Sequence, residues 1–219
     1  MDFDSYFPNL VNEMNNFYEM VNWEETMKAE DPGDVLYDVE MIKMVNRLDE
    51  EITTTIGDIW QELKTQNEAF VCVHTLLVLA MHVQDPIFKA MTPEEQNMMK
   101  WAALCHDLAK KSTPTIEGKD HVHPFMSAAC TLEVFENNGF IDDMTDEKRE
   151  SLKQVKRLLR ESVQPLPRSD LATMDHGKPY CTQRHSHHNL PEIFYYLWKK
   201  EVLPRGSFLE LVFRLVLFH

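Results

Sequence analysis

The sequence predicts an all-α fold, and two kinds of observation lead to this expectation. Apolar residues recur at spacings of three and four in one segment after another, which is the period of a helix with one buried face. Helix-start signals precede two of these segments, with a threonine N-cap at Thr92 and another at Thr145. We therefore expect helices along most of the chain, separated by polar turns.

Composition limits the kind of protein. The chain has 219 residues, 43% of them hydrophobic, which is enough for one large or two small domains. Its formal charge of −14 argues against a surface that grips nucleic acid through clustered basic residues, although a local basic cleft stays open. The four cysteines lack CxxC spacing, and three lie in apolar helical contexts, so we expect reduced thiols in the cytoplasm. We find no targeting signal and no apolar run of membrane-spanning length.

The N-terminal region, residues 1–64, is expected to be a helical packing layer without chemistry of its own. A helix is predicted through Leu10 to Val21, and the turn sequence at 31–34 ends it. The helical period returns over 35–63, where the β-branched run before Gly57 indicates a kink or a break into two helices.

Residues 66–84 predict a helix that is apolar on most faces and therefore central to the core. His74 lies in its middle. Taken alone, a histidine in this position is either a neutral core ring bonded to a neighbouring polar group or a ligand donated to a site on an adjacent helix. The sequence leaves both open at this point.

The next helix is expected to run from the capping box at Thr92 to the basic pair at 110–111, with His106 and Asp107 in its last turns. Burying an imidazole next to a carboxylate costs several kcal/mol unless something compensates, and a divalent cation is a common compensator. Adjacent helical residues point about 100° apart, so the pair is expected to straddle a cation in a groove, with His74 as a donor from the neighbouring helix.

Polar residues around this pair suggest a substrate side. Lys110 follows His106 by four residues and Asp107 by three, so it either holds a substrate phosphate or is a solvated lysine complementing the helix dipole. A polar loop follows, and His121 and His123 open the next helix, which stops at 137–139. These two histidines could ligate a second metal, bind phosphate oxygens or be exposed capping residues.

Taken in order, His74, His106-Asp107-Leu108-Ala109-Lys110 and the segment from His123 to Ala128 resemble the HD-domain superfamily of metal-dependent phosphohydrolases. The resemblance covers about residues 66–140 and is closest to the HD domain associated with bacterial-type tRNA nucleotidyltransferases. It implies an all-α HD-domain bundle with its core at 65–161. It also implies metal ligands at His74, His106 and Asp107, catalytic roles for Asp107, Lys110 and His123, and substrate contacts from Lys110, His121 and His123.

Two departures from that family concern the motif and the fourth ligand. Ala109 replaces the usual glycine, and the family's final aspartate has no place in this chain. The late helix of the family reads as an apolar run ending in histidine with the aspartate following. That pattern occurs at 206–219, introduced by a capping box at Ser207 and Glu210, so the last helix is expected to be truncated after His219.

Residues 162–205 are then an insertion that carries a His-rich loop and a short helix. The cluster of cysteine and histidine suggests zinc, but its spacing is not that of a structural site, which favours a solvated loop that could act as a lid. The residues of this cluster are Cys181, His185, His187 and His188.

These motifs predict a phosphohydrolase. The ligand types suit a divalent Mn, Ni, Co, Fe, Zn or Mg ion, and the expected reaction is hydrolysis of a phosphodiester or phosphomonoester in a nucleotide or RNA end by a metal-activated water. The alternative is a catalytically incomplete HD-like module that binds a nucleotide or protein partner, which a missing ligand would favour. A plain helical interaction protein explains the composition but not the ordered His-Asp set. We expect a nucleotide or small phosphoester as substrate, and neither double-stranded DNA nor a membrane as partner.

Overall fold

The computed structural model describes residues 1–21, 28, 39–65, 70–110, 122–165, 174–175, 178–179, 183–185 and 187–219. Helices dominate these residues, so the prediction of an all-α fold is confirmed. The chain divides into two compact units, Met1–Leu104 and Cys105–His219. None of the helices in the described ranges combines the length and the apolar character that a membrane span requires.

The helices that begin in the first unit follow one another with short connections. They are α1 (Phe3–Tyr6), α2 (Leu10–Met20), α3 (Val39–Ile56), α4 (Asp58–Thr65), α5 (Phe70–Gln84), α6 (Pro86–Ala90) and α7 (Pro93–Cys105).

Helix α5 forms the centre of the first unit, as its uniformly apolar sequence predicts. It packs against α2, α3, α4 and α6. Buried side chains occur on every side of it, from Val71 near its start to Val83 near its end. A helix that is hydrophobic all round is stable only inside a core, and these four helices cover α5.

The predicted break in the second N-terminal segment lies at Gly57, between α3 and α4. Gly57 has φ +77°, a left-handed conformation that residues with a Cβ atom adopt at a cost. The break is therefore a defined turn, in which the Trp60 amide donates to the Gly57 carbonyl at 3.1 Å.

Helix α7 is fixed at its start by the predicted capping box. The Glu95 amide donates to Thr92 Oγ1 at 3.3 Å, and the Thr92 amide donates to the Glu95 carboxylate at 2.8 Å. Farther along, Trp101 is fully buried. Its ring packs edge-on against the rings of Phe3 and Phe7, and each centroid lies 5.4 Å from that of Trp101. These contacts hold the body of the helix that leads into the His106-Asp107 pair.

The second unit contains the remaining helices and four short strands. The helices are α8 (His123–Asn137), α9 (Asp146–Glu161), α10 (Leu190–Lys199) and α11 (Phe208–Leu217). The strands are β1 (Val163–Pro165), β2 (Met174–Asp175), β3 (Lys178–Pro179) and β4 (Gln183–His185), and a 3-10 turn over His187–Asn189 precedes α10.

The strands lie in the segment predicted as an insertion, where the sequence indicated only a loop and a short helix. Strand β1 pairs with β4 in an antiparallel register that places Val163 opposite His185, and β2 pairs with β3. The β1–β4 ladder joins the two ends of the segment, because its outermost pair lies next to α9 and to the 3-10 turn. Backbone pairing of this kind depends on residues about twenty positions apart and leaves no short-range periodic signal.

Helix α8 is the centre of the second unit and packs against α9 and α11, while α9 also packs against α10. Its buried side chains include Phe125, Leu132 and Phe135. Helix α11 begins at Ser207, whose hydroxyl accepts from the Glu210 amide at 3.4 Å. Glu210 is fully buried, and its carboxylate accepts from the Gly206 amide at 3.1 Å and from Trp198 Nε1 at 3.3 Å. The predicted N-cap at Ser207 is thus confirmed. The Glu210 carboxylate binds the Gly206 amide instead of the Ser207 amide, and it adds a contact to α10.

Candidate metal centre

The His106-Asp107 pair lies in a turn after α7, so the prediction that it falls in the last turns of that helix is wrong. Helix α7 ends at Cys105, and the following amides make shorter contacts, with the Lys110 amide donating to the Asp107 carbonyl at 2.9 Å. The Ala109 amide, which would bond to the Cys105 carbonyl in a continued helix, donates instead to Ser127 Oγ of α8 at 3.0 Å. A tertiary hydrogen bond therefore replaces the next helical one.

Because the pair is not helical, the predicted angular separation of its two side chains is also wrong. His106 Nε2 lies 3.2 Å from Asp107 Oδ2, so the imidazole and the carboxylate are side by side. The turn brings both groups to the same point, where a helix would have directed them to different faces.

Asp107 is the centre of the cluster, and its side chain is only 1% exposed. Besides His106, side chains from three further positions of the second unit approach its carboxylate. Lys110 Nζ lies 2.7 Å from Oδ2, His123 Nε2 lies 3.0 Å from Oδ1, and His219 Nε2 lies 3.6 Å from Oδ1. The groups come from the turn after α7, the start of α8 and the second residue after the end of α11.

Asp107, His123 and His219 form a donor set that could hold a metal ion. One ligand atom from each lies within 4.8 Å of the other two, and the Nε2 atoms of the two histidines are 3.0 Å apart. Two nitrogen or oxygen ligands bound to one cation at about 2.1 Å are roughly 3 Å from each other. The spacing of these atoms therefore fits a shared divalent ion.

The tautomer of His219 supports the same arrangement. Its Nδ1 lies 2.7 Å from the Val216 carbonyl oxygen, which can only accept a hydrogen bond, so Nδ1 carries the proton. In the neutral ring Nε2 then presents its lone pair towards Asp107 and His123. A metal-binding histidine is typically oriented in this way, with its other nitrogen donating to a backbone carbonyl.

Lys110 supplies positive charge to the buried carboxylate. Its side chain is 29% exposed, and its ammonium group forms an ion pair with Asp107. The alternative of a solvated lysine that only complements the helix dipole does not describe this geometry, since the amino group points back at the carboxylate three residues earlier. The predicted contact of Lys110 with a substrate phosphate stays a prediction.

Cys105, which precedes the pair, is a fully buried thiol. Burial raises the pKa of its thiol to about 12, a shift that the hydrogen bond with Thr131 opposes only in part. Cys105 and Cys72 are buried free thiols, as their apolar context predicts. A thiol that stays protonated is neither a nucleophile nor a metal ligand.

Four of the predicted site residues lie together in the second unit. They are His106, Asp107, Lys110 and His123. His74 lies on α5 in the first unit, partly buried, and its role as a ligand stays a prediction. His121 lies outside the described residues.

His219 is the residue that sequence reasoning missed as a ligand. The sequence signal was present, because an apolar helix that ends in histidine is the pattern recognised at 206–219. The expectation assigned the ligand role to an aspartate beyond that histidine. In the structure the imidazole itself reaches the cluster.

The His-rich loop makes no described contribution to this centre. The side chains of Cys181 and His185 lie outside the described ones, while His187 and His188 are exposed on the 3-10 turn. The ring of His187 lies 5.9 Å from that of Phe125 at the start of α8.

Comparison with known proteins identifies no relative. No protein-family model, no curated protein and no solved structure matches this chain. The resemblance to the HD-domain superfamily accordingly stays a prediction carried by the sequence motifs.

Proposed function

We propose that this chain is a metal-dependent phosphohydrolase that acts on a phosphoester of a nucleotide or of an RNA end. The observation that carries the proposal is the donor set of Asp107, His123 and His219, which lie far apart in sequence and converge within 4.8 Å. Nitrogen and carboxylate donors of this kind suit Mn, Fe, Co, Ni, Zn and Mg. The order of the His and His-Asp motifs, which resembles that of the HD-domain superfamily, supports hydrolysis as the reaction.

Each residue of the cluster has a distinct task in this proposal. Asp107 supplies the negative charge that attracts a cation, and His123 and His219 complete the set with neutral nitrogen donors. His106 lies beside Asp107 at 3.2 Å and limits where its carboxylate can point. A bound divalent ion would acidify a water molecule and share the negative charge of a phosphoryl group.

The substrate side of the site is assigned to Lys110. Its ammonium is held by Asp107 at 2.7 Å yet its side chain is partly exposed, so two of its three donors can face an incoming phosphate. A fixed cation at this position stabilises charge that develops on the phosphoryl oxygens. Of the other two predicted substrate contacts, His123 belongs to the donor set in this proposal. The substrate contact of His121 stays a prediction.

The first experiment measures metal content and hydrolysis together. The purified full chain is loaded with Mn²⁺ or Ni²⁺, its bound metal is quantified by mass spectrometry, and hydrolysis of bis(p-nitrophenyl) phosphate is followed. We expect stoichiometric metal and metal-dependent turnover. Asp107→Asn and His219→Ala should each lower metal affinity or turnover by at least about tenfold, since each removes a donor.

Matched variants separate a local effect from a general one. His188→Ala removes an exposed imidazole of the same unit and should leave metal binding and turnover unchanged. His74→Ala tests the ligand that the sequence predicts in the first unit, and His106→Ala tests the neighbour of Asp107. Wild-type turnover in both Asp107→Asn and His219→Ala would refute the proposal.

One observation favours the second candidate, a non-catalytic module that binds a nucleotide or protein partner. The Lys110 ammonium already neutralises the buried Asp107 carboxylate, so the cluster is electrostatically complete without a cation. A purified chain that takes up no metal and hydrolyses nothing, while its fold is intact, would select this candidate.

A further inference from the structure

A second feature of the second unit is a groove along α10 and the turn that follows it. The groove encloses about 710 Å³, and three aromatic side chains and two cationic ones contribute to its lining: Phe194, Tyr195, Trp198, Lys199 and Arg205. None of them belongs to the cluster around Asp107.

Tyr195, unlike the other two aromatic residues, is not required to anchor α10. Ile193 and Leu197, on the inner face of the helix, are fully buried. The outer face carries Tyr195, which is 52% exposed. Trp198 is partly buried where α10 meets α11, because its Nε1 donates to the buried Glu210 carboxylate at 3.3 Å and its ring lies 4.8 Å from that of Phe194. Large aromatic side chains left on an outer face next to a groove are typical of a ligand site rather than of a core.

Neither cation of the groove has an acidic partner in the described part of the chain. Lys199 and Arg205 make no ion pair with any described carboxylate, whereas the adjacent Lys200 is paired with Glu147 at 2.7 Å. The Arg205 guanidinium lies 4.9 Å from the centre of the Trp198 ring. In a chain with 36 acidic and 22 basic residues, two unpaired cations beside aromatic rings form a locally positive, flat-walled surface.

We propose that this groove is a base-stacking subsite for a single-stranded nucleotide end, with Tyr195 against the base and Lys199 and Arg205 on the phosphates. Aromatic platforms flanked by cations bind unpaired bases without reading their sequence, because every base has a flat π-face. In a duplex the flat faces of the bases are covered by the neighbouring base pairs. The surface therefore fits single-stranded RNA better than the double-stranded DNA that the net charge already argues against.

The groove is linked to the metal centre through Phe218. The ring of Phe194 stacks on that of Phe218 at 6.3 Å and an interplanar angle of 17°, and the next residue, His219, belongs to the donor set. The link between the two sites rests on the proposed function, because it requires one substrate that places a base in the groove and a phosphoester at the cluster. Base binding in the groove is nevertheless measurable without hydrolysis.

The test uses the full chain with EDTA present, so that binding is independent of metal and of turnover. The probe is fluorescein-labelled hexaadenylate RNA, followed by fluorescence anisotropy at several salt concentrations. Tyr195→Ala should weaken binding at least about fivefold, since it removes a stacking surface, while Tyr195→Phe, which keeps the ring, should bind like the wild type.

Lys199 is tested by the salt dependence of the same binding. Lys199→Ala should make the slope of log K against log salt less steep by about 0.7, the value for one phosphate contact on a single strand. The matched control is Lys153→Ala, which removes an equally charged but 67% exposed side chain on α9 and should leave the slope unchanged. A merely structural role of Lys199 would not move this slope.

The outcomes distinguish this inference from the proposed function. RNA binding that depends on Tyr195 and Lys199 in a chain that hydrolyses nothing would support the groove and refute the hydrolase. Hydrolysis with unaltered RNA affinity in Tyr195→Ala and an unaltered salt slope in Lys199→Ala would do the reverse. The inference is also overturned if the wild type does not bind the RNA, or if tripolyphosphate, which has no base, competes as well as unlabelled hexaadenylate.

Discussion

Asp107 shows how a buried charge can be stabilised in more than one way. A carboxylate with 1% of its side chain exposed requires a positive or hydrogen-bonding neighbour, and the sequence predicted a cation for this purpose. The structure provides Lys110 at 2.7 Å together with three imidazoles. Because these groups form one set, a neutral isosteric change such as Asp107→Asn is a better probe than a truncation, which would leave several buried partners unmatched.

His82 gives a pH-dependent prediction at the same scale. Burial lowers the pKa of its imidazole from the ordinary 6.5, against the smaller opposing effect of the Asp85 charge. The unfolded chain therefore takes up a proton at a higher pH than the folded chain, and the free energy of unfolding falls as pH drops from about 6.5 towards the folded pKa. We expect His82→Phe to lose less stability between pH 7 and pH 5 than the wild type, measured by urea unfolding.

The environment of His82 explains why phenylalanine is the appropriate replacement. Its ring packs edge-on against Phe88 at 5.1 Å, and its Nε2 is buried without a hydrogen-bond partner among the described residues. The control is His188→Ala, which removes an exposed histidine and should keep the wild-type pH dependence. The same decline with pH in His82→Phe as in the wild type would contradict the prediction.

At the scale of elements, the candidate metal centre is built at helix ends. His106 and Asp107 follow the last residue of α7, His123 is the first residue of α8, and His219 comes two residues after the end of α11. The last turn of a helix leaves backbone groups without helical partners, and these can bind other parts of the chain, as the Ala109 amide binds Ser127. The short turn that results can bring adjacent side chains together. The exact length of a helix therefore decides the geometry of the site.

Gly57 supplies a prediction about an element boundary. An added Cβ at Gly57 would meet no atom within 4 Å, so Gly57→Ala introduces backbone strain at φ +77° without a steric clash. We expect a loss of about 1–2 kcal/mol in the free energy of unfolding, measured by urea denaturation. Gly57→Asn should lose less, because asparagine tolerates the left-handed region. Equal stability of the wild type and Gly57→Ala would show that the α3–α4 break can relax.

At the scale of the whole molecule, each of the two units has its own central helix. Helix α5 packs against several helices in the first unit, and α8 packs against α9 and α11 in the second. The donor set joins residues near both ends of the second unit, from Asp107 to His219. A ligand that holds these positions together stabilises the folded chain over the unfolded one by mass action.

Metal binding should therefore raise thermal stability. With free Mn²⁺ about a hundredfold above its dissociation constant, the expected gain is about 2.7 kcal/mol, seen as a higher Tm in differential scanning calorimetry and reversed by EDTA. Asp107→Asn, with an affinity at least about tenfold lower, should gain about half as much or less at the same metal concentration. An equal rise in Tm for this variant would indicate that the metal binds elsewhere on the acidic surface.

The positions of the helices could be predicted from the sequence, because the signals for them are local. The apolar period of α5, the capping box at Thr92, the N-cap at Ser207 and the glycine break at Gly57 each depend on residues within a few positions of one another. The same patterns identified the His106-Asp107 pair as unusual in an apolar context. These local patterns did not predict where α7 ends. Its end depends on the hydrogen bond from the Ala109 amide to Ser127, eighteen residues after Ala109.

Which side chains contact one another depends on the tertiary structure and could not be predicted from the local patterns. The approach of His219 to Asp107 and His123 depends on the packing of α11 against α8. Such contacts join positions separated by most of the second unit. Local periodicity specifies the buried face of each helix but not its partner, and the ligands of the candidate centre are set by the choice of partner.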